Sequence, residues 1–254
     1  MEVSRGTAEI LSTLTTFPSW ADEVKGGIDF LQQALQSTDT LKTRHVALAI
    51  NNLVSYSLDC SNLELASSLV ISLSPLVENG DSATSRAVIE SLQLLCEANP
   101  AVRPRLLHIE GLLGVLVSLL KSTDERETET CCSSLLGYTL YQAPRQAGET
   151  LDPHDEALLS LFDALAAASQ VTEKVNIYLQ VLLGCLLRTA DPITVIVSHT
   201  HASDALLKVL DLTYPRVCFF PLFASPGRNP SKLVPFGSSI LRLACLPAIY
   251  VPCW

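Results

Sequence analysis

Apolar and polar residues follow one another in blocks along the chain, and the spacing within the apolar blocks is helical. In residues 111–140 an apolar segment, a polar turn and a second apolar segment occur in succession. Leu113, Leu116 and Leu120 of the first segment fall on one helical stripe, because residues three or four apart share a face of a helix. The pattern predicts two amphipathic helices joined by a turn, and residues 26–57 form an earlier copy of it.

The two copies align on an aspartate in each polar turn. Asp39 and Asp124 are 85 residues apart (124 − 39), and Ile50 and Leu135 stand eleven residues after them. This separation equals two periods of about 42 residues, a length typical of helical-repeat arrays. The spacing therefore predicts another copy between them.

That intermediate copy is present, with Asp81 at the turn position and Leu92 eleven residues later. A further copy has Val171 and Leu182 at the corresponding positions, 47 residues beyond the preceding turn (171 − 124). A fifth unit begins at residues 202–212. The chain thus contains four to five related helical units.

Repetition of this kind has a direct physical interpretation, because one helical hairpin cannot bury both of its apolar faces whereas stacked copies share a continuous core. Asp39, Asp81 and Asp124 are expected to cap the second long helix of their units. Leu120 and Leu135 are expected to be buried between adjacent helices. An irregular helical bundle is the alternative architecture.

Two segments, residues 26–53 and 110–137, resemble armadillo repeats, and the related HEAT repeat is the neighbouring possibility. The resemblance extends over about residues 5–212 and implies an all-α fold, a right-handed α-solenoid of four to five armadillo/HEAT-like repeats. We assign residues 1–212 to this domain and residues 213–254 to a Pro-rich, irregular tail.

Armadillo arrays are generally binding scaffolds, in which the last helix of each repeat lines a groove and often carries a ladder of asparagines. The ladder position matches Asn52 in the first unit but falls on Leu94, Gly137 and Gly184 in the others. One asparagine in four positions argues against recognition of basic nuclear-import signals of the karyopherin kind. Asn52 can instead be a polar residue of the helix surface.

Helical phase nevertheless selects one position in each unit that should be exposed on the second long helix. These candidate partner-binding residues are Asn52, Gln93, Ser134 and Gln180. We expect a protein partner to contact them if the groove works as it does in armadillo relatives.

Composition and charge further restrict the fold class and the kinds of partner that this chain can have. The 254-residue chain is 48% hydrophobic but only 6% aromatic, which favours stacked helices over a β-sandwich. A net charge of −9 argues against direct nucleic-acid binding. Neither a transmembrane run nor a secretory signal is predicted. The eight cysteines form no CxxC pair, and we interpret them as reduced and buried, as in an intracellular protein of the cytoplasm or nucleus.

An acidic cluster, Asp124, Glu125, Glu127 and Glu129, lies at one turn between helices. It can serve as a docking edge for a basic partner segment. It can equally be a solvated helix start, where carboxylates interact favourably with the helix dipole.

Enzyme signals are weak. His199 and His201 are two residues apart with Asp204 nearby, but no third ligand lies at metal spacing. Adjacent Cys131 and Cys132 would diverge by about 100° on a helix, so we interpret them as small packing residues. Because no nucleophile elbow, phosphate loop or HExxH motif occurs, we predict no catalytic activity, no cofactor and no bound metal.

The composition changes after Tyr214. Residues 215–254 contain seven of the fourteen prolines, and no acidic residue follows Asp211, so a further long helix is not expected there. We expect this segment to be poorly ordered, because it cannot bury enough surface to offset the entropy of ordering it. It is either a genuine segment that anchors to a partner or membrane, or an alternative or read-through end of a truncated array.

Two functional hypotheses result. The leading one is a non-catalytic intracellular protein–protein interaction scaffold, a truncated form of a longer helical-repeat protein. The alternative is a regulatory binding module whose apolar tail targets a membrane or an organelle.

Overall fold

The protein is all-α in the part of the chain that the structure describes. The structure is a computed structural model, and it describes residues 3–123, 125–142, 156–168, 172–199 and 201–207. Within these ranges the regular structure is helical, apart from an isolated β-bridge at Thr189. The predicted all-α class is confirmed.

Most of the α-helices are short, but a longer helix recurs about every forty residues. In chain order they are α1 (Arg5–Leu14), α2 (Pro18–Val24), α3 (Ile28–Ala34), α4 (Thr40–Tyr56), α5 (Leu63–Leu73), α6 (Pro75–Asn79), α7 (Ser82–Ala98), α8 (Arg103–Leu107), α9 (Leu112–Ser122), α10 (Arg126–Gly137), α11 (Glu156–Ala167), α12 (Glu173–Arg188) and α13 (Pro192–Ser198). Residues 202–207 are also helical. A π-helical turn, Tyr138–Gln142, prolongs α10.

Side-chain caps determine where the long helices begin. Asp39 Oδ1 accepts hydrogen bonds from the backbone N–H groups of Leu41 and Lys42 at 3.1 and 3.2 Å. Asp81 Oδ1 accepts one from Thr84 N at 2.8 Å. These bonds satisfy donors that the first turn of a helix leaves free, and both predicted caps are confirmed.

The other two starts differ from the predicted turn positions. Asp124 and Val171 lie outside the described residues. The N-cap residue of α10 is Glu125, whose side chain makes no capping bond. Thr172 caps α12 by accepting from Val175 N at 3.2 Å.

The helices α1, α4, α7, α10 and α12 form a row in which each contacts the next. Polar bonds show that neighbours run in the same direction: Ser12 contacts His45 at 3.2 Å, and Thr15, one turn further, accepts from Asn52 at 3.1 Å. The shorter helices α6, α9 and α11 contact one another in a second line beside this row. The core lies between the two lines.

Burial follows the predicted periodicity. Ile50, Leu92 and Leu135, the eleventh residues after their turn positions, are all fully buried. Leu120 of α9 is fully buried as well, so the expected burial of Leu120 and Leu135 is confirmed.

The cysteines of the described residues form no disulfide. Cys60, Cys96, Cys132 and Cys185 are buried, whereas Cys131 is half-buried. Burial raises the pKa of Cys96 and of Cys132 to about 12, so both are packing residues rather than thiolates.

An arginine links each of the first three pairs of row helices. Arg5 of α1 binds the Asp39 carboxylate at 2.7 Å, and the Nε of Arg44 on α4 donates to Asp81 at 2.8 Å. Arg86 of α7 pairs with Glu127 and approaches Glu125 at 4.0 Å, both at the start of α10. The carboxylates of Asp39 and Asp81 therefore cap their own helix and also bind the preceding helix.

All described residues belong to one unit of the chain, Met1–Tyr214. The segment interpreted as a Pro-rich tail, residues 213–254, lies outside the described residues. Its boundary and its character stay predictions.

The first prediction concerns the core. Replacing Leu120 or Leu135 by Ala should lower the free energy of unfolding by about 2–5 kcal/mol, because each change leaves a cavity at a fully buried site. Urea denaturation followed by circular dichroism measures the loss. Unchanged stability in both variants would contradict the packing described here.

The second prediction concerns pH. The Arg44 hydrogen bond is the main cause of the lowered pKa of Asp81. Because the folded pKa lies below the unfolded value of about 3.9, the pair stabilises the fold above that value and loses its contribution as the pH falls through the folded pKa. Wild type should therefore lose stability more steeply than Asp81→Asn on acidification below about pH 5.

Asn is a suitable control at this position because it retains the helix cap but not the charge. Thermal melts over a pH series measure the two slopes. Equal slopes would show that the Arg44 pair does not stabilise the fold.

Candidate interaction surface

Each long row helix leaves one strip of residues unpacked. The strip positions are spaced i, i+4, i+7 and i+11, and every one of them is exposed or half-buried. They are Arg44, Leu48, Asn51 and Ser55 on α4; Arg86, Glu90, Gln93 and Glu97 on α7; Thr130, Ser134, Gly137 and Tyr141 on α10 and its π-helical turn; and Asn176, Gln180, Leu183 and Leu187 on α12. Because these helices contact in sequence, their strips lie side by side, and we call them together the exposed strip.

The part of the exposed strip on α4 and α7 is polar and internally bonded. Glu90 accepts from Asn51 Nδ2 and from Arg86 Nε, each at 3.0 Å. Glu97 accepts from Gln93 at 2.9 Å and from the hydroxyl of Tyr138 at 3.0 Å. The carboxylates here are held in fixed positions by neighbouring donors.

The part on α10 and α12 is less polar. Tyr141 and Leu187 are 45% and 48% exposed, and Leu183, one turn before Leu187 on α12, is half-buried. The Tyr141 hydroxyl donates to the backbone carbonyl of Gln180, and burial raises its pKa to about 12. Charged side chains therefore occur in the strip on α4 and α7, whereas the part on α10 and α12 carries none.

The π-helical turn at the end of α10 is held by arginines on both sides. Arg103 lies 4.8 Å over the ring of Tyr138 and donates from Nη1 to Gln142 at 3.0 Å. Arg188 is buried and donates from Nε to the carbonyl of Leu140 at 2.7 Å. Such contacts satisfy and fix a turn whose backbone departs from regular α-helical bonding.

Three of the four residues selected by helical phase lie in the exposed strip. Gln180 is exposed, and Gln93 and Ser134 are half-buried. Asn52 does not lie in the strip: its Nδ2 donates to Ser12 O at 3.2 Å and to Thr15 Oγ1 at 3.1 Å. It therefore joins α4 to α1, and the neighbouring Asn51 occupies the strip instead.

Sequence reasoning missed Asn51, Glu90 and Tyr141 as strip residues. Each of them stands four or seven residues from another strip position, and this helical spacing was a signal that they share the exposed face. It could not be used without knowing that α1 packs beside α4 and covers the face that carries Asn52.

The acidic cluster is divided by the structure. Glu125 and Glu127 meet Arg86 at the junction of α7 and α10, and Glu129 is half-buried. Asp124 lies outside the described residues. The two acids that contact Arg86 therefore serve the packing of the row.

The two histidines considered as metal ligands, His199 and His201, contact aromatic rings. The His199 ring stacks on Phe162 with centroids 5.2 Å apart, and His201 lies 6.1 Å from His199. Among the described residues, no three His, Cys, Asp or Glu side chains are grouped so that they could hold a metal ion. Over the same residues, no helix has both the length and the apolar content needed to cross a bilayer.

Comparison with known proteins assigns no family. No family model matches the chain, and no curated protein matches it. The fold is similar to the crystal structure of an engineered protein, with 19% sequence identity, a TM-score of 0.47, and coverage of 83% of this chain and 90% of the other. A likeness of this size does not identify a fold family.

The third prediction concerns the contact between α12 and the π-helical turn. A Cβ added at Gly184 would lie 2.9 Å from Leu140 Cβ and 3.0 Å from Tyr141 Cε2. Gly184→Ala should therefore destabilise the protein by about 1–3 kcal/mol through overpacking.

Gly137→Ala is the matched control, because nothing lies within 4 Å of its added Cβ. This change should be neutral, or stabilising by up to about 1 kcal/mol from helix propensity. Urea unfolding of both variants gives the comparison. Equal stabilities would mean that α12 does not approach the turn closely.

Proposed function

We propose that this chain is a non-catalytic intracellular protein–protein interaction scaffold, built as a right-handed α-solenoid of four to five armadillo/HEAT-like repeats. The observation that carries the proposal is the exposed strip, which recurs at equivalent positions on four consecutive row helices. A surface repeated in this way suits an extended partner that touches several units.

The order of contacts supports the repeat architecture. Arg44, Arg86, Thr130 and Asn176 are the first strip residues of successive row helices, with separations of 42, 44 and 46 residues. Each of α4, α7 and α10 contacts the preceding and the following member of the row, and α12 contacts α10. In repeat proteins each unit packs mainly on its neighbours in this manner.

The composition of the exposed strip supports binding of protein. Tyr141 and Arg86 are of the residue types that contribute most often to interface hot spots. The fixed carboxylates Glu90 and Glu97 provide acceptors whose positions are determined before a partner arrives. Preorganised groups of this kind lose less entropy on binding.

Free thiols support an intracellular location. The cysteines of the described residues form no disulfide, and four of them are buried. Reduced cysteines of this kind are typical of proteins in the cytoplasm or nucleus.

The alternative, a regulatory module whose apolar tail targets a membrane or organelle, rests on aromatic residues between 215 and 254, outside the described residues. Fractionation of cells that express the chain with and without residues 215–254 separates the two proposals. Membrane association that disappears with the deletion would favour the alternative.

The fourth prediction tests the exposed strip. A Ser134→Arg/Gln180→Arg variant places two bulky cations in the strip and should weaken partner binding about tenfold or more. Quantitative affinity purification with wild type as the reference measures the loss, and circular dichroism checks the fold.

Ile71→Arg/Asn79→Arg is the matched control, since it adds the same charge at exposed positions of α5 and α6, outside the row. Partners should be retained by this control and lost by the strip variant. The reverse pattern would place the interaction surface on the other line of helices.

A further inference from the structure

The junctions along the row are not equivalent. At the first three, an arginine on one helix binds a carboxylate at the start of the next: Arg5 with Asp39, Arg44 with Asp81, and Arg86 with Glu127. We call this contact the arginine lock. Arg44 and Arg86 both stand five residues after the N-cap of their own helix.

The same register at the fourth junction gives two neutral residues. Five residues after the N-cap Glu125 stands Thr130, and the N-cap of α12 is Thr172. Neither side chain carries a charge, so these positions cannot form an arginine lock. Thr130 instead donates to the backbone carbonyl of Arg126 within its own helix at 2.8 Å.

Other contacts join α10 to α12, and they are of another type. Lys174 Nζ donates to the carbonyl of Thr123 at 2.7 Å, Tyr141 donates to Gln180 O, and Arg188 donates to Leu140 O. All three use a backbone carbonyl as the acceptor. The contacts of Leu140 and Tyr141 involve residues of the π-helical turn, where regular α-helical hydrogen bonding is interrupted.

We propose that the junction between α10 and α12 is the yielding step of the row, at which α12 separates from a unit of α1, α4, α7 and α10 whose junctions each carry an arginine lock in addition to their apolar packing. Local opening of this kind needs less free energy than global unfolding and leaves the remainder folded. The exposed strip crosses this step between Ser134 and Gln180. The width of the exposed strip at this junction depends on whether α10 and α12 are in contact.

The test transfers the lock to the fourth junction in the full chain. In Thr130→Arg/Thr172→Asp, the aspartate still caps α12 and gains an arginine on the preceding helix. Hydrogen exchange followed by mass spectrometry should show amides of α12 exchanging faster than those of α4 and α7 in wild type. The double variant should slow α12 exchange about two- to fivefold, the effect expected of an exposed ion pair.

The single variants Thr130→Arg and Thr172→Asp serve as controls, because the charge that each introduces has no designed partner and should leave α12 exchange near the wild-type rate. In the reverse experiment, Asp81→Asn retains the cap but removes a natural lock, and it should speed exchange at the start of α7. High salt should reproduce that acceleration, since exposed pairs are screened.

Three results would overturn the proposal. One is α12 protection equal to that of α7 in wild type. Another is a double variant that exchanges no more slowly than its two single variants. The third is unchanged exchange in Asp81→Asn, which would show that the natural locks do not hold the row.

Discussion

A carboxylate that serves two helices at once sets the arrangement of this protein. Asp39 and Asp81 each accept backbone N–H groups of the helix they begin. Each also receives an arginine from the preceding row helix. Because a cap is tied to the first turn of its helix, the arginine fixes the position of one helix along the axis of the next. An exposed ion pair contributes little energy, so its main effect here is on register, while the buried leucines supply most of the stability.

Register in turn produces the exposed strip. Neighbouring helices run in the same direction with a constant offset, so that a residue lies beside one that is about three positions nearer to the cap of the next helix. Glu90 can then reach Asn51, and Glu97 can reach Tyr138, in each case across one helix junction. The result is a surface that extends over four helices, to which each helix contributes four residues. Its change from charged to uncharged side chains gives it a direction along the row.

The sequence predicted what depends on local periodicity and missed what depends on a neighbouring helix. Helical spacing and capping chemistry were sufficient for Asp39, Asp81, Leu120 and Leu135, because burial and capping follow from residues within one unit. Asn51 and Asn52 differ by about 100° around one helix. Which of them is exposed is decided by α1, which the repeat pattern does not include. The π-helical turn after α10 was likewise unpredictable, since it is held by Arg103 and Arg188 from distant parts of the chain.

The two properties of the row meet at the junction of α10 and α12. The helices before this junction are joined by arginine locks, and the strip carries charged side chains on α4 and α7. At the junction itself the contacts use backbone carbonyls as acceptors, and the strip on α10 and α12 is uncharged. A partner confined to α4 and α7 would bind a surface of fixed geometry. A partner that spans Ser134 and Gln180 would require the junction to be closed, and its apparent affinity would fall with the closed fraction. Stabilising this junction would then tighten the binding of a partner that spans Ser134 and Gln180, and it would leave the binding of a partner confined to α4 and α7 unchanged. The two neutral residues at the lock positions, Thr130 and Thr172, can therefore determine which partners are sensitive to the conformation of the row.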